Sequence, residues 1–212
     1  MDGWIAGNAF AAAPNAQIVV AKSGGNYTTI TAALNAITPS AAKPYVIEVW
    51  PGTYNEYFCV KDYVHLKGSG PEVTTVTSVA WNTISVCGSN VIISGLTISG
   101  GISLLIEGGT SPTITGNIIK NCIGGIEIRD TSSKPIITGN KITGCTSWGI
   151  ANWSGSAATI TENKITGNSS QDIWVDSTAT PNISFNIYDT INGITGVGQY
   201  NVNSNGDPAP AP

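Results

Sequence analysis

The chain has 212 residues, 41% of them hydrophobic and 10% charged, with a formal net charge of −4. Its few Lys and Arg are scattered, which argues against a nucleic-acid footprint, and no stretch approaches the roughly 18 apolar residues of a membrane span. The low charge and abundant Thr, Ser, Asn and Gly do not signal disorder, because the apolar positions are strictly periodic.

Residues 1–17 contain no Lys or Arg, and the small-residue run from Ala9 to Ala13 is too short for the core of a secretory leader. They are read as an N-terminal arm, followed by one solenoid domain over 18–205 and a Pro/Ala tail or linker over 206–212. Ile18, Val19 and Val20 predict a first strand, and Gly24-Gly25-Asn26 a turn. The period then changes. Ile30, Ala33, Leu34 and Ile37 share one helical face, which predicts a helix over about 28–38. A helix there would cover the open end of a stack of strands, where apolar side chains and unpaired edges are otherwise exposed. Residues 45–50 read as a strand and Pro51-Gly52 as a turn. Strand-like pieces at 64–66, 73–79 and 84–87 form two less regular units, and 91–98 opens the regular part. There Gly95, 22 residues before Asn117, takes the place of the repeat's asparagine.

The regular part says one thing four times: SPTITGNIIKNC from Ser111, SKPIITGNKITGC from Ser133, AATITENKITGN from Ala157 and TPNISFNIYDT from Thr180. Asn117, Asn140, Asn163 and Asn186 follow one another at steps of 23 residues, and Ile114, Ile137, Ile160 and Ile183 keep the same step. A fixed period of this length marks a solenoid. Within each repeat apolar and polar residues alternate, as in Ile126-Glu127-Ile128, which is strand periodicity. Each repeat is therefore one coil of short strands, and stacking brings equivalent residues to about 4.8 Å. The asparagines then form an inward ladder, each amide bonding to the next coil.

On these residues the chain resembles the pectin-lyase-like, right-handed parallel β-helix proteins, whose coil repeat is similar to the ITGN string beginning at Ile114 and, as ITGNKI, at Ile137. Residues 18–56, with IVVAKSGGNYTTITAALNAI and YVIEVWPGTYNE, look like the opening of pectin-methylesterase-type and phage-tail β-helices, a stretch that is structural in those families. The resemblance implies an all-β, single-stranded right-handed parallel β-helix with an N-terminal capping helix. It leaves function open, because enzymes, tailspikes and inert scaffolds share these coils.

Few residues could carry chemistry. Cys122 and Cys145 lie 23 residues apart and so in one column, within reach of a disulfide, and Cys59 and Cys87 could pair across the earlier coils; the alternative is four small buried hydrophobes. No C-x-x-C pair supports a metal, and no cofactor is expected. His65, the single histidine, sits on an alternating strand without a G-x-S-x-G partner motif. The paired aspartates of a polygalacturonase-like or methylesterase-like site are missing from short strings. Aligning Ile126, Ile150 and Ile173 as inward places Glu127, Ala151 and Trp174 in one outward column and Arg129, Trp153 and Asp176 in another. With Asn152 and, at the preceding turn, Trp148, these residues suit a sugar-binding face or a contact between subunits, such as a side-by-side trimer. The expectation is a non-enzymatic extracellular, cell-surface or virion-surface protein that touches a polysaccharide or partner chain through Glu127, Arg129, Asn152, Trp153, Trp174 and Asp176. The alternatives are a polysaccharide-degrading lyase or glycoside hydrolase of tailspike or pectinase type, and a pure scaffold or filament subunit.

Overall fold

A computed structural model describes residues 16–153, 155–192 and 201–209. The arm expected over residues 1–17 lies outside them except for Ala16 and Gln17, as do residues 210–212 of the expected tail. Over the described residues the chain winds as a right-handed parallel β-helix of three sheets and one short helix. The first sheet has eight strands: Ala16–Val20, Tyr45–Val49, Val64–Gly68, Val91–Ser94, Thr113–Thr115, Ile136–Thr138, Thr159–Thr161 and Asn182–Ser184. The second has seven: Gly52–Asn55, Thr74–Thr77, Thr97–Ser99, Ile118–Lys120, Lys141–Thr143, Lys164–Ile165 and Ile187–Tyr188. The third also has seven: Phe58–Val60, Asn82–Val86, Ile102–Ile106, Gly124–Ile128, Trp148–Asn152, Gln171–Val175 and Ile191–Asn192.

Each sheet contributes one unbroken apolar column to the interior. Ile47, Leu66, Ile93, Ile114, Ile137, Ile160 and Ile183 stack in the first sheet. Tyr54, Val76, Ile98, Ile119, Ile142, Ile165 and Tyr188 stack in the second. Phe58, Ile84, Leu104, Ile126, Ile150 and Ile173 stack in the third. All are buried, and each aliphatic side chain removed from water contributes about 1.5–3 kcal/mol.

The corner between the first and second sheets is held by the asparagines. Asn140 is representative: its Oδ1 accepts from the backbone N–H and the Nδ2 of Asn117, at 3.0 and 3.1 Å. Its own Nδ2 donates to Ile114 O, Thr138 O and Asn163 Oδ1, at 2.9, 3.0 and 3.0 Å. Asn163 and Asn186 repeat the pattern. At the C-terminal end Asn201 extends the run by accepting from Asn186 N at 2.9 Å, although only 15 residues separate the two and the 23-residue period does not reach it. At the other end the position belongs to Leu96 and not, as expected, to Gly95. Thr97 pairs with Ile118, so Leu96 stands over Asn117, and its N–H donates to Asn117 Oδ1 at 3.1 Å. Gly95 instead heads the preceding corner position, a left-handed column with φ of 69° at Gly95, 63° at Gly116, 65° at Gly139, 59° at Glu162 and 59° at Phe185.

The helix spans Ile30–Ala36, shorter than the expected 28–38 at both ends. Thr29 is its N-cap, and the Glu56 carboxylate accepts from Ile30 N and Thr31 N at 2.9 Å each. Lys61 Nζ donates to the carbonyls of Leu34 and Ile37 at the other end, so both poles of the helix meet an opposite charge from the first coil. The first strand begins at Ala16, two residues ahead of the sequence reading, because Ala16 pairs with Tyr45. Part of the expected tail is folded: Val202 bridges to both Ile187 and Pro208, and Ala209 packs against the core. Cys59 is bonded to Cys87 and Cys122 to Cys145, with Cα atoms 5.8 and 4.5 Å apart.

Replacing Asn140 with Ala is expected to cost about 1–3 kcal/mol, because buried groups of two neighbouring coils lose their partner; urea unfolding measures it. Glu162→Gly is expected to stabilise by about 0.5–1 kcal/mol, since glycine occupies its left-handed conformation without strain. His65, whose Nε2 lies 2.8 Å from Ser94 Oγ, has its pKa lowered to about 4 by burial and then by Lys67. The neutral imidazole is thus the form the fold prefers. Its contribution is complete above the unfolded value of about 6.5 and is lost as pH falls toward 4. His65→Gln should flatten the stability curve over that interval.

Candidate functional site

The outer face of the third sheet gathers the chain's unusual side chains. Its strands carry a local break in alternation. Pairing runs from Ile102–Gly124 to Leu104–Ile126 and from Trp148–Gln171 to Ile150–Ile173, leaving out the residues between. Those residues point inward together with their successors. A Cβ on Gly125 would meet Ile142 Cγ2 at 2.8 Å, one on Gly149 would meet Ile165 Cγ2 at 2.5 Å, and Asp172 is 1% exposed. Asp172 is satisfied there, its carboxylate accepting from Asn168 Nδ2, Asp189 N and Thr190 N at 2.9, 2.8 and 3.1 Å. The break turns Gly124, Trp148 and Gln171 outward, beside the columns of Glu127, Ala151 and Trp174 and of Arg129, Trp153 and Asp176.

Three indoles meet on this face. Trp153 and Trp174 are 3.8 Å apart between ring centroids, tilted by 39°. Trp148 meets Trp153 edge to face at 5.6 Å. Small residues make room beneath: Ala151 lies between Glu127 and Trp174 in its column, and Gly124 lets the Trp148 indole nitrogen come within 2.7 Å of where a Cβ would stand. Glu127 is 3% exposed although it faces outward. Its Oε1 accepts from Nε of Arg129 at 3.0 Å and is ion-paired with Nη2 at 3.0 Å, whereas its Oε2 is buried without a partner. The other buried side-chain polar atoms without a partner among the described residues are Trp148 Nε1, Trp153 Nε1 and Gln171 Oε1. All four therefore sit on one face. Unsatisfied buried groups cost about 1–3 kcal/mol each, so such a cluster calls for a chemical reason.

Of the residues expected to form the face, Glu127, Arg129, Trp153, Trp174 and Asp176 stand in its two outward columns. Asn152 does not. It aligns with Ile128 and Val175, is 0% exposed, and its amide is spent on Ser156, accepting from Ser156 Oγ at 2.8 Å and donating to Ser156 O at 3.3 Å. Being next to outward Ala151, it points inward by simple alternation. Asp176 turns into its own loop: its Oδ1 accepts from Thr178 Oγ and Thr178 N at 2.6 and 2.9 Å, and these bonds hold its carboxyl below the ordinary range. Gln171 escapes sequence reasoning, and Trp148, expected at the turn before the face, lies in the strand Trp148–Asn152; strict alternation places both on the inward side with Ile150 and Ile173. The one hint is the small or polar residue after each, Gly149 and Asp172, where a core position would carry a β-branched residue.

The family model described as "Right handed beta helix region" matches residues 77–207, and the one described as "Pectinesterase" matches residues 17–100. Over 66 residues the chain is 44% identical to a probable pectinesterase/pectinesterase inhibitor 58 of Arabidopsis thaliana, covering 29% of this chain and 12% of that protein. Over 69 residues it is 36% identical to a pectinesterase of Aspergillus niger, covering 31% of this chain and 21% of the relative. The chain thus matches only a minor part of these curated relatives. Among solved structures it superposes on pectin methylesterase from carrot with a TM-score of 0.56 and 15% identity, over 91% of this chain and 84% of the other. A pectin methylesterase in complex with a hexasaccharide superposes with a TM-score of 0.51 and 15% identity, over 84% and 62%. These superpositions show the fold. The pectinesterase matches overturn the expectation of a non-enzymatic structural or virion protein and point instead to carbohydrate processing, the alternative reading.

Gly124→Ala is expected to push the Trp148 ring off the face, since the added methyl would lie 2.7 Å from its indole nitrogen. The change should appear as altered near-ultraviolet circular dichroism with a midpoint of unfolding close to that of the parent.

Proposed function

We propose a function from one premise: this chain belongs to the right-handed β-helix family. On that scaffold it is a carbohydrate-processing enzyme that hydrolyses esters of a pectin-type polysaccharide laid along the outer face of the third sheet, outside the cell. The pectinesterase match over residues 17–100 supports the substrate class. The two disulfides accord with an oxidising compartment, and no helix among the described residues is long and apolar enough to cross a membrane.

The observation that carries the reaction type is Glu127. One carboxylate oxygen is fixed by Arg129 and the other is buried without a partner on an outward-facing strand position. A base held in this way is oriented before substrate arrives. Water attacks the ester carbonyl as Glu127 Oε2 takes its proton; the tetrahedral intermediate collapses, and the same proton goes to the departing alkoxide, leaving a free carboxylic acid and an alcohol. Arg129, whose side chain is partly exposed, supplies positive charge close to the developing oxyanion. The stacked indoles offer flat faces to the C–H groups of the sugar ring.

Methanol release from methylesterified pectin tests this reading. The parent chain should release methanol, and Glu127→Gln, which keeps the shape and one acceptor oxygen, should lower the rate about 100-fold or more with unfolding little changed. Absence of methanol release by the parent, or an unimpaired Glu127→Gln variant, would overturn it.

A further inference from the structure

The proposed role of Glu127 Oε2 as base accounts for one of the four orphaned atoms. The remaining three are two donors, Trp148 Nε1 and Trp153 Nε1, and one acceptor, Gln171 Oε1. Gln171 is the register partner of Trp148 on the next strand, and Trp148 touches Trp153 edge to face at 5.6 Å. The three therefore form one patch, on the two coils that follow the one carrying Glu127. We infer that Trp148, Trp153 and Gln171 form a specificity subsite for an uncharged, hydroxyl-bearing sugar ring, adjacent to the reacting carboxylate. This rests on the ester-hydrolysis reading for its place beside Glu127 and on separate atoms for its chemistry.

The donor and acceptor pattern selects the ligand. Two indole N–H groups require acceptors, and an amide oxygen requires a donor. A hydroxyl supplies both. A carboxylate could accept from the indoles but has no proton to give Gln171. Charge points the same way. Column by column, this face carries Glu107, Glu127 and Asp176 against Arg129, and Arg129 is committed to Glu127 at 3.0 Å. An anionic ring would enter a negative field with no free cation to meet it. A ring whose carboxyl is esterified meets no such opposition, so the subsite holds the substrate form and rejects the acid product.

All three atoms are closed to solvent beneath the rings. Access requires the Trp153 ring to swing away from Trp174, on which it is stacked at 3.8 Å. The Trp153–Trp174 pair is expected to give a coupled circular dichroism band in the far ultraviolet, so entry of the sugar should be read as loss of that band.

The experiment uses the full chain carrying Glu127→Gln, so that turnover is slowed about 100-fold or more during the titration. A fully methylesterified oligogalacturonide and the de-esterified oligomer of equal length are titrated by calorimetry and circular dichroism. The esterified oligomer should bind at least tenfold more tightly and abolish the indole couplet. Trp153→Phe keeps a ring but removes the N–H. Added to this background it should weaken that binding about tenfold, the effect of one lost hydrogen bond, without lowering the midpoint of unfolding, since it also deletes a buried unpaired donor. Gln171→Leu should do the same. Equal or tighter binding of the de-esterified oligomer, or unchanged binding in both variants, overturns the subsite. If the parent releases no methanol yet the esterified oligomer binds selectively through these residues, the esterase reading fails and the subsite stands.

Discussion

The structure depends on backbone hydrogen bonding between coils held in register. Parallel strands of two to five residues are too short to fix their own alignment, and a slip of one residue would turn every apolar side chain outward. The buried asparagines prevent the slip. From Asn140 onward each Oδ1 accepts two N–H groups of the preceding coil, while Nδ2 reaches carbonyls on that coil and on its own. An amide displaced by one residue would leave several buried groups unpaired, at about 1–3 kcal/mol apiece. With the corner fixed, the three apolar columns fall into line.

A regular solenoid provides a rigid face on which irregularity stands out. On the third sheet the break in alternation before Ile126, Ile150 and Ile173 adds one inward residue per coil and swings the preceding one outward. That local change creates the Trp148 and Gln171 column. It also brings an indole edge against Trp153, whose own position follows from ordinary alternation. The fold therefore builds the site by departing from strict alternation on successive coils of the third sheet while keeping the core column intact.

Electrostatics gives the site its direction. Glu127 is buried on the outer face of its strand and not in the core, and the cost of desolvating its charge is offset by Arg129 at one oxygen only. Asp172 sits equally deep but is fully engaged by an asparagine side chain and backbone N–H groups of the last coil. Two buried carboxylates two coils apart thus have opposite roles. Asp172 is saturated and ties down chain; Glu127 keeps one oxygen unengaged on the outer face.

The 23-residue step, the isoleucine columns and the asparagine positions are legible from the chain alone, because a stack of equivalent coils turns sequence spacing directly into spatial adjacency. The outward placement of Glu127, Arg129, Trp153, Trp174 and Asp176 follows equally from period-two alternation, and Asn152 belongs inward by the same rule. Position and environment are different matters. That Glu127 is buried, that Asp176 is absorbed by Thr178, that Leu96 and not Gly95 stands over Asn117, and that Asn201 prolongs the ladder all depend on neighbours brought together from irregular parts of the chain. Trp148 and Gln171 show the limit most clearly. Their direction is set by a one-residue break in pairing that alternation does not encode, so only the packed coils decide that these side chains face the site.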